Sequence, residues 1–245
     1  MAELNTLALL SDGNLKGYYR FEGNDNDSSP SGNNGTLETS ITYGLSYGIY
    51  TQGALFNGSS SRINFGADLA AWKFTGSYTI MGWVRKTSGD GVAKAIISNQ
   101  YDGAGNDRGW SVQLNTSNQL IITFGLGTTG WTVLTSSGTI TVDGNWHHFA
   151  VRRNVNAYEF FIDGVSVGTA TNSTAYSYAA GTNSCVIGAA YDPSYSKFWG
   201  GYIDDIAFFN RSLSNSDILL HSVNPPISAG GNTMFFGGAR GFTLG

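Results

Sequence analysis

Short apolar and aromatic runs, each closed by Gly, Asn, Asp or Ser, recur along almost the entire chain. Their spacing is that of strands, with polar and apolar positions alternating or a brief unbroken apolar run. It predicts strands around Leu15–Phe21, Ala54–Phe56, Arg62–Asn64, Tyr78–Arg85, Ala95–Asn99, Trp110–Leu114, Gln119–Gly125, Val133–Thr135, His147–Arg153, Tyr158–Ile162, Val165–Thr169, Ser184–Gly188 and Gly201–Phe209. The clearest hairpin is AYEFFIDGVSVGT, where Asp163-Gly164 supplies the two positive-φ positions of a type I′ turn. Gln119–Phe124, preceded by the turn at Asn115–Asn118, pairs with Trp110–Leu114. Only LSNSDILLHS reads as a helix, with Ser214 as its cap and Asp217 in the first turn.

So many strands require two stacked sheets, because one open sheet of that width would curl or split. Trp83, Trp146, Phe149, Phe160 and Ile206 fall at positions expected to face the core between them. The expected architecture is all-β, a sandwich of two antiparallel sheets with one short surface helix. Beyond it, NPPISAGG breaks regular structure and leads into a glycine-rich tail carrying Met234, Phe235, Phe236 and Phe242. Such a tail is either a docking segment or a disordered end.

Composition agrees. With 34 glycines, 13% aromatics and only 12% charged residues, the chain is turn-rich, yet its 41% hydrophobic content can fill a core. At 245 residues one large domain is expected. A net charge of −4 provides no basic face and argues against nucleic acid as a partner. Apolar runs such as Ala95–Ile97 and Ile218–Leu220 are far too short for membrane insertion. Cys185 has no second cysteine to pair with and reads as a small buried hydrophobe. The start of the sequence lacks a basic stretch, and Leu7–Leu10 is too short for the core of a signal peptide, so no secretion signal is expected.

Catalytic signatures are scarce. Glutamate occurs only at Glu3, Glu22, Glu38 and Glu159, none close to another, whereas retaining glycosidases need two carboxylates about 5 Å apart. Asp204 and Asp205 are adjacent, but neighbours on a regular strand face opposite sides. The same parity separates His147 from His148 and argues against a metal role for them. No nucleophile elbow, zinc-protease or phosphate-loop motif is present, and the chain is expected not to be an enzyme.

Binding chemistry is better represented. Sugar rings stack their C–H faces on aromatic planes while amides and carboxylates take up hydroxyls. The candidates are Tyr101, Asp102, Asn106, Asp107 and Arg108 in one loop, Trp131 in a second, and Tyr191, Asp192, Tyr195 and Trp199 in a third. For each alone, a packed loop side chain is the competing explanation.

The order of GYYRFEGNDNDSSPSGNNGT, ALFNGSSSRINFG, YTIMGWVR, GNWHHFAVRR, YEFFIDGVSVGT and WGGYIDDIAFFNRSLSNSDI resembles the laminin G-like, concanavalin A-like lectin/glucanase superfamily. The resemblance implies a jelly roll over 15–224, with an N-terminal segment at 1–14 and the glycine-rich tail at 225–245. It implies a non-catalytic lectin-type module for a polysaccharide or glycan, outside the cell. Relatives of this shape also serve as protein-interaction or virion-surface modules, and the tail would then suit a protein partner or self-assembly. The resemblance also bears on the bunching of Glu22, Asp25 and Asp27 in the first loop. It implies a structural calcium held by Glu22, Asp27, oxygens near Asn33 and Asn34, and Asp204 or Asp205. The alternative is an Asx-rich turn capped by its own backbone.

Overall fold

The structure, a computed structural model, describes residues 9–67, 69–87, 89, 91–101, 107–128, 130–178, 184–192 and 194–223. Its strands are β1 (Leu15–Tyr19), β2 (Leu37–Thr39), β3 (Thr42–Gly44), β4 (Gly53–Asn57), β5 (Arg62–Ala67), β6 (Tyr78–Arg85), β7 (Lys94–Tyr101), β8 (Arg108–Leu114) and β9 (Gln119–Gly125). They continue as β10 (Trp131–Thr139), β11 (Trp146–Asn154), β12 (Ala157–Ile162), β13 (Val165–Thr171), β14 (Ser184–Ile187), β15 (Ala190–Asp192), β16 (Ser194–Ser196) and β17 (Gly200–Phe209), followed by helix α1 (Asn215–Val223).

The strands form the expected jelly-roll sandwich. One sheet has eight strands in the order β13-β12-β11-β6-β17-β4-β3, with β1 also paired to β17; the other has seven, β10-β9-β8-β7-β14-β5-β2. The strands within these two sheets pair antiparallel, as chain reversal at short Gly- and Asn-rich turns dictates. At the β12–β13 turn Asp163 (φ 50) and Gly164 (φ 77) both take the left-handed conformation that the type I′ turn needs. Helix α1 starts with a reciprocal cap: the Asp217 N–H donates to Ser214 Oγ at 3.1 Å, and the Ser214 N–H donates to Asp217 Oδ2 at 3.2 Å. The strands that sequence periodicity misses, β2, β3, β15 and β16, have three residues each, too few to show alternation.

The core between the sheets is aromatic. Trp72, on a 3₁₀ turn at Ala70–Trp72, lies within 6.1 Å of the Trp110 ring and 5.1 Å of Phe208, centroid to centroid. Its carbonyl accepts Trp110 Nε1 at 2.8 Å and Asn99 Nδ2 at 2.9 Å, which satisfies two buried donors brought in by this packing. Phe149, Phe160, Ile206 and Cys185 sit in this core as expected.

Trp83 and Trp146 do not. Ile80 and Val84 of β6 belong to the core, and a Cβ at Gly82 would come within 2.4 Å of Ile206 Cδ1, so the even positions face inward. Odd positions therefore face out. Trp83 meets His148, its cross-strand partner, edge-on at 5.2 Å, and Trp146 lies beside Arg85 and Tyr202.

Candidate functional site

The acidic first loop folds around Asp27. Its Oδ1 accepts the Tyr18 and Ser29 N–H groups at 2.9 and 2.8 Å, and Oδ2 accepts the Asn33 N–H at 2.9 Å. Asn34 Oδ1 accepts the Asp27 N–H at 2.9 Å, and the Asn33 carbonyl accepts the Tyr19 hydroxyl at 3.0 Å. Asp27, Asn33 and Asn34 thus form a self-contained turn in which backbone donors neutralise the carboxylate.

Asp204 and Asp205 obey different constraints. On one side β17 pairs β4 through Gly200–Ile203 and β1 through Ile206–Phe209, leaving these two residues at the gap between the partner strands. There the register with β6 also shifts between Asp204 and Ala207, and Asp205 adopts φ 47. A bulge of this kind breaks the strict alternation of a strand. The opposite-face expectation for this pair is therefore overturned: Asp204 is buried, Asp205 is half-buried beside it, and the two carboxyls feel each other. Asp204 accepts the Ile49 N–H at 2.9 Å, and Asp205 accepts the Tyr18 hydroxyl at 2.7 Å. Loss of hydration pushes Asp205 up to about 7 and Asp204 well above the usual carboxylate range, the latter helped by the neighbouring Asp205 charge. Glu22 adds to both shifts, while its own carboxylate bonds Thr51 Oγ1 and lies 3.7 Å from Arg20.

The six residues implied by the family resemblance therefore separate. Asp27, Asn33 and Asn34 belong to the hydrogen-bonded turn, and Glu22, Asp204 and Asp205 to a second, electrostatically linked group. Among the described residues no group of three or more His, Cys, Asp and Glu side chains has a metal-holding arrangement. Within the second group the Arg20 guanidinium lies 3.7 Å from Glu22 and also acts on Asp205, while Asp204 is met by the Ile49 N–H.

The loop candidates separate too. Tyr101 and Arg108 pair across the β7–β8 hairpin and are half-buried. Asp107 is buried: its carboxylate accepts the Gly130 N–H and its carbonyl the Gly127 N–H, tying this hairpin to the β9–β10 loop rather than reaching for a ligand. Trp131, half-buried, opens β10 opposite Gly125 at that same end. Tyr195 has turned onto the outer face of β5, with Arg62 4.0 Å above its ring and Asn64 bonded to its hydroxyl. Trp199 is 0% exposed, with Lys86 over its ring, and offers no face for stacking. Asp102 and Asn106 lie outside the described residues, as do the side chains of Tyr191 and Asp192 and the tail from Asn224.

Sequence reasoning missed the outer face of the seven-stranded sheet. There Ser111 bonds Thr123 at 2.8 Å, Gln113 bonds both, and Ser98 Oγ donates to the Ala189 carbonyl at 3.1 Å. The signal was available: Ser111 and Gln113 alternate with core residues Trp110, Val112 and Leu114. It also missed Tyr18, Arg20 and Ile49, which long-range pairing brings to Asp204 and Asp205.

The fold is a concanavalin A-like jelly-roll sandwich of two antiparallel sheets. Residues 57–219 match a laminin G-like family of the Concanavalin A-like lectin/glucanases superfamily, and the chain belongs to it. An 87-residue stretch is 31% identical to the non-toxic nonhemagglutinin type A of Clostridium botulinum, covering 36% of this chain and only 7% of that protein. Domain 4 of AbnA, an extracellular GH43 arabinanase of Geobacillus stearothermophilus, superimposes with a TM-score of 0.60 at 20% identity, covering 84% of this chain and 96% of that one. The binding domain of Paraclostridial Mosquitocidal Protein 1 gives 0.61 at 16% identity, over 85% of this chain and 52% of that one. Botulinum neurotoxin type C gives 0.63 at 16% identity, over 88% and 52%. The chain thus spans about half of these toxin chains. Among the described residues no helix is long and apolar enough to cross a membrane.

Proposed function

We propose that this chain is a non-catalytic carbohydrate-binding module of lectin type that works outside the cell. The observation that carries the reading is Trp131, a half-buried aromatic plane on the edge strand β10, at the end of the sandwich where the Asp107–Gly130 bond ties the β7–β8 hairpin to the β9–β10 loop. Similar folds support it: AbnA domain 4 was solved with arabinotriose, and cell entry of botulinum neurotoxin type C depends on interaction with two ganglioside molecules. For the non-catalytic part, Glu159 is held by Arg152 and Ser166, and Glu22 by Thr51, in unrelated places. Calcium stays in the proposal only as a neutraliser of the buried Asp204–Asp205 pair, because no three acidic or histidine side chains among the described residues are arranged to hold an ion.

Titration calorimetry with arabinotriose and a panel of neutral oligosaccharides tests the reading. Trp131→Ala is expected to weaken the best ligand about tenfold, since a stacked aromatic contributes on the order of 1 kcal/mol beyond burial. Unchanged affinity in Trp131→Ala and Tyr101→Ala would move the site elsewhere. Absence of binding across the panel would remove the lectin reading.

A further inference from the structure

At the N-terminal edge of β6 the chain builds a cavity of about 230 Å³ that none of the loop candidates touches. Its lining combines Lys16 of β1, Lys73, Thr75 and Ser77 from the segment entering β6, Asn210 after β17, and an apolar side of Ala70, Ala71 and Phe74. The Asn210 N–H donates to the Asn14 carbonyl at 3.0 Å, and Phe74 is fixed by rings on both sides, Tyr78 at 4.7 Å and Trp110 at 5.1 Å. The cavity is therefore framed by sheet and core rather than by a loose loop.

Among the described residues no Asp or Glu lines it, although acidic residues outnumber basic ones 17 to 13 in the chain. Its described lining thus carries two ammonium groups on an acidic protein. Lys16 Nζ donates one bond, 3.2 Å to the Gly13 carbonyl, and an ammonium group has three donors. The volume falls below the roughly 300–1,000 Å³ of sites for drug-sized ligands, which limits the occupant to about one ring. A bare oxyanion would leave the apolar side unfilled. A sugar ring with a negative charge matches these features: its carboxylate meets the ammonium groups, its hydroxyls meet Thr75 and Asn210, and a C–H face lies on Ala70 and Ala71.

We infer that this cavity is a subsite for a carboxylate-bearing sugar, a hexuronic or sialic acid residue. This rests on the carbohydrate-binding reading and deepens it by naming the ligand class. Its position supports that link, because Trp72 of the adjoining 3₁₀ turn is bonded to Trp110 and Asn99, near the strand ends that carry Arg108 and Tyr101.

The test is NMR titration of the whole chain with D-glucuronate, N-acetylneuraminate, D-glucose and sodium sulfate. At least one sugar acid is expected to bind tenfold or more tighter than glucose, with shift changes at Lys73, Thr75 and Asn210 and weakening at high salt. Lys16→Gln with Lys73→Gln is expected to remove that preference while the melting temperature stays within a few degrees. The two acids tell which carboxylate source fits. Equal binding of glucose and both acids, sulfate binding as tightly as the better acid, or a preference that survives the double variant would each overturn the subsite. If arabinotriose or another neutral glycan still binds in a Trp131-dependent way, only the subsite falls. If no sugar binds at all, the lectin reading falls with it.

Discussion

Asp27 and Asp205 lie on segments that the sequence leads one to join in a single site, yet their carboxylates are stabilised in opposite ways. Asp27 draws three backbone N–H groups from within and beside its own turn, so its charge is met by local dipoles. Asp205 lies where β17 bulges between β4 and β1, beside the buried Asp204, with the Tyr18 hydroxyl as its side-chain donor and Arg20 nearby. Loss of hydration then dominates and the folded protein favours its protonated form. A carboxylate can thus be completed by the dipoles of its own turn, or pushed toward its protonated form where the fold strips its hydration.

The largest expected effect falls on the completed one. Asp27→Ala removes the acceptor of three N–H groups, at about 1 kcal/mol or more each, so a loss of about 3 to 5 kcal/mol is expected. Thermal unfolding should show a fall of roughly 10 °C, the same in chelator and in calcium. Asp27→Asn should lie between, because its amide nitrogen cannot accept the Asn33 N–H. A variant that melts like wild type would erase the contrast.

A second incomplete group extends the comparison. His148 is 1% exposed, has no partner for Nδ1 among the described residues, and lines a cavity of about 20 Å³ with Tyr18, Asp205 and His221. Burial, with the His221 charge as a lesser cause, lowers it from 6.5 to about 3. A histidine with a depressed folded value stays neutral while the unfolded chain takes up a proton. Its contribution is complete above pH 6.5 and is lost as pH falls toward 3. Between pH 7 and pH 4 this amounts to about 3 kcal/mol. Denaturation curves at the two values should show that loss in wild type and much less of it in His148→Gln; parallel losses would assign acid sensitivity to other groups.

Calcium is expected to act on the incomplete carboxylates alone. At a hundred times its dissociation constant it adds roughly 2.7 kcal/mol, several degrees for a domain of this size. Wild type and Asp27→Ala should both gain that increment when calcium replaces chelator, and Asp205→Asn should not. Identical melting of wild type in the two conditions would leave Asp204 and Asp205 as protonated structural acids.

Alternation, Asp163-Gly164, and the Ser214–Asp217 pair determined the jelly-roll class, most strand positions, the β12–β13 hairpin and the helix cap, because each depends on residues a few positions apart. The sequence also carried Asp27's turn as one of two alternatives. What it left open was decided by long-range pairing. A bulge reversed the facing of Asp205, and Gly82 against Ile206 turned Trp83 outward. Closure of the sheets buried Trp199, and packing of the 3₁₀ turn against β1 and β17 brought Lys16 and Lys73 to one cavity. Strand parity can be read locally only while the strand stays regular, and which face becomes core depends on the partner sheet, which no short stretch of chain contains.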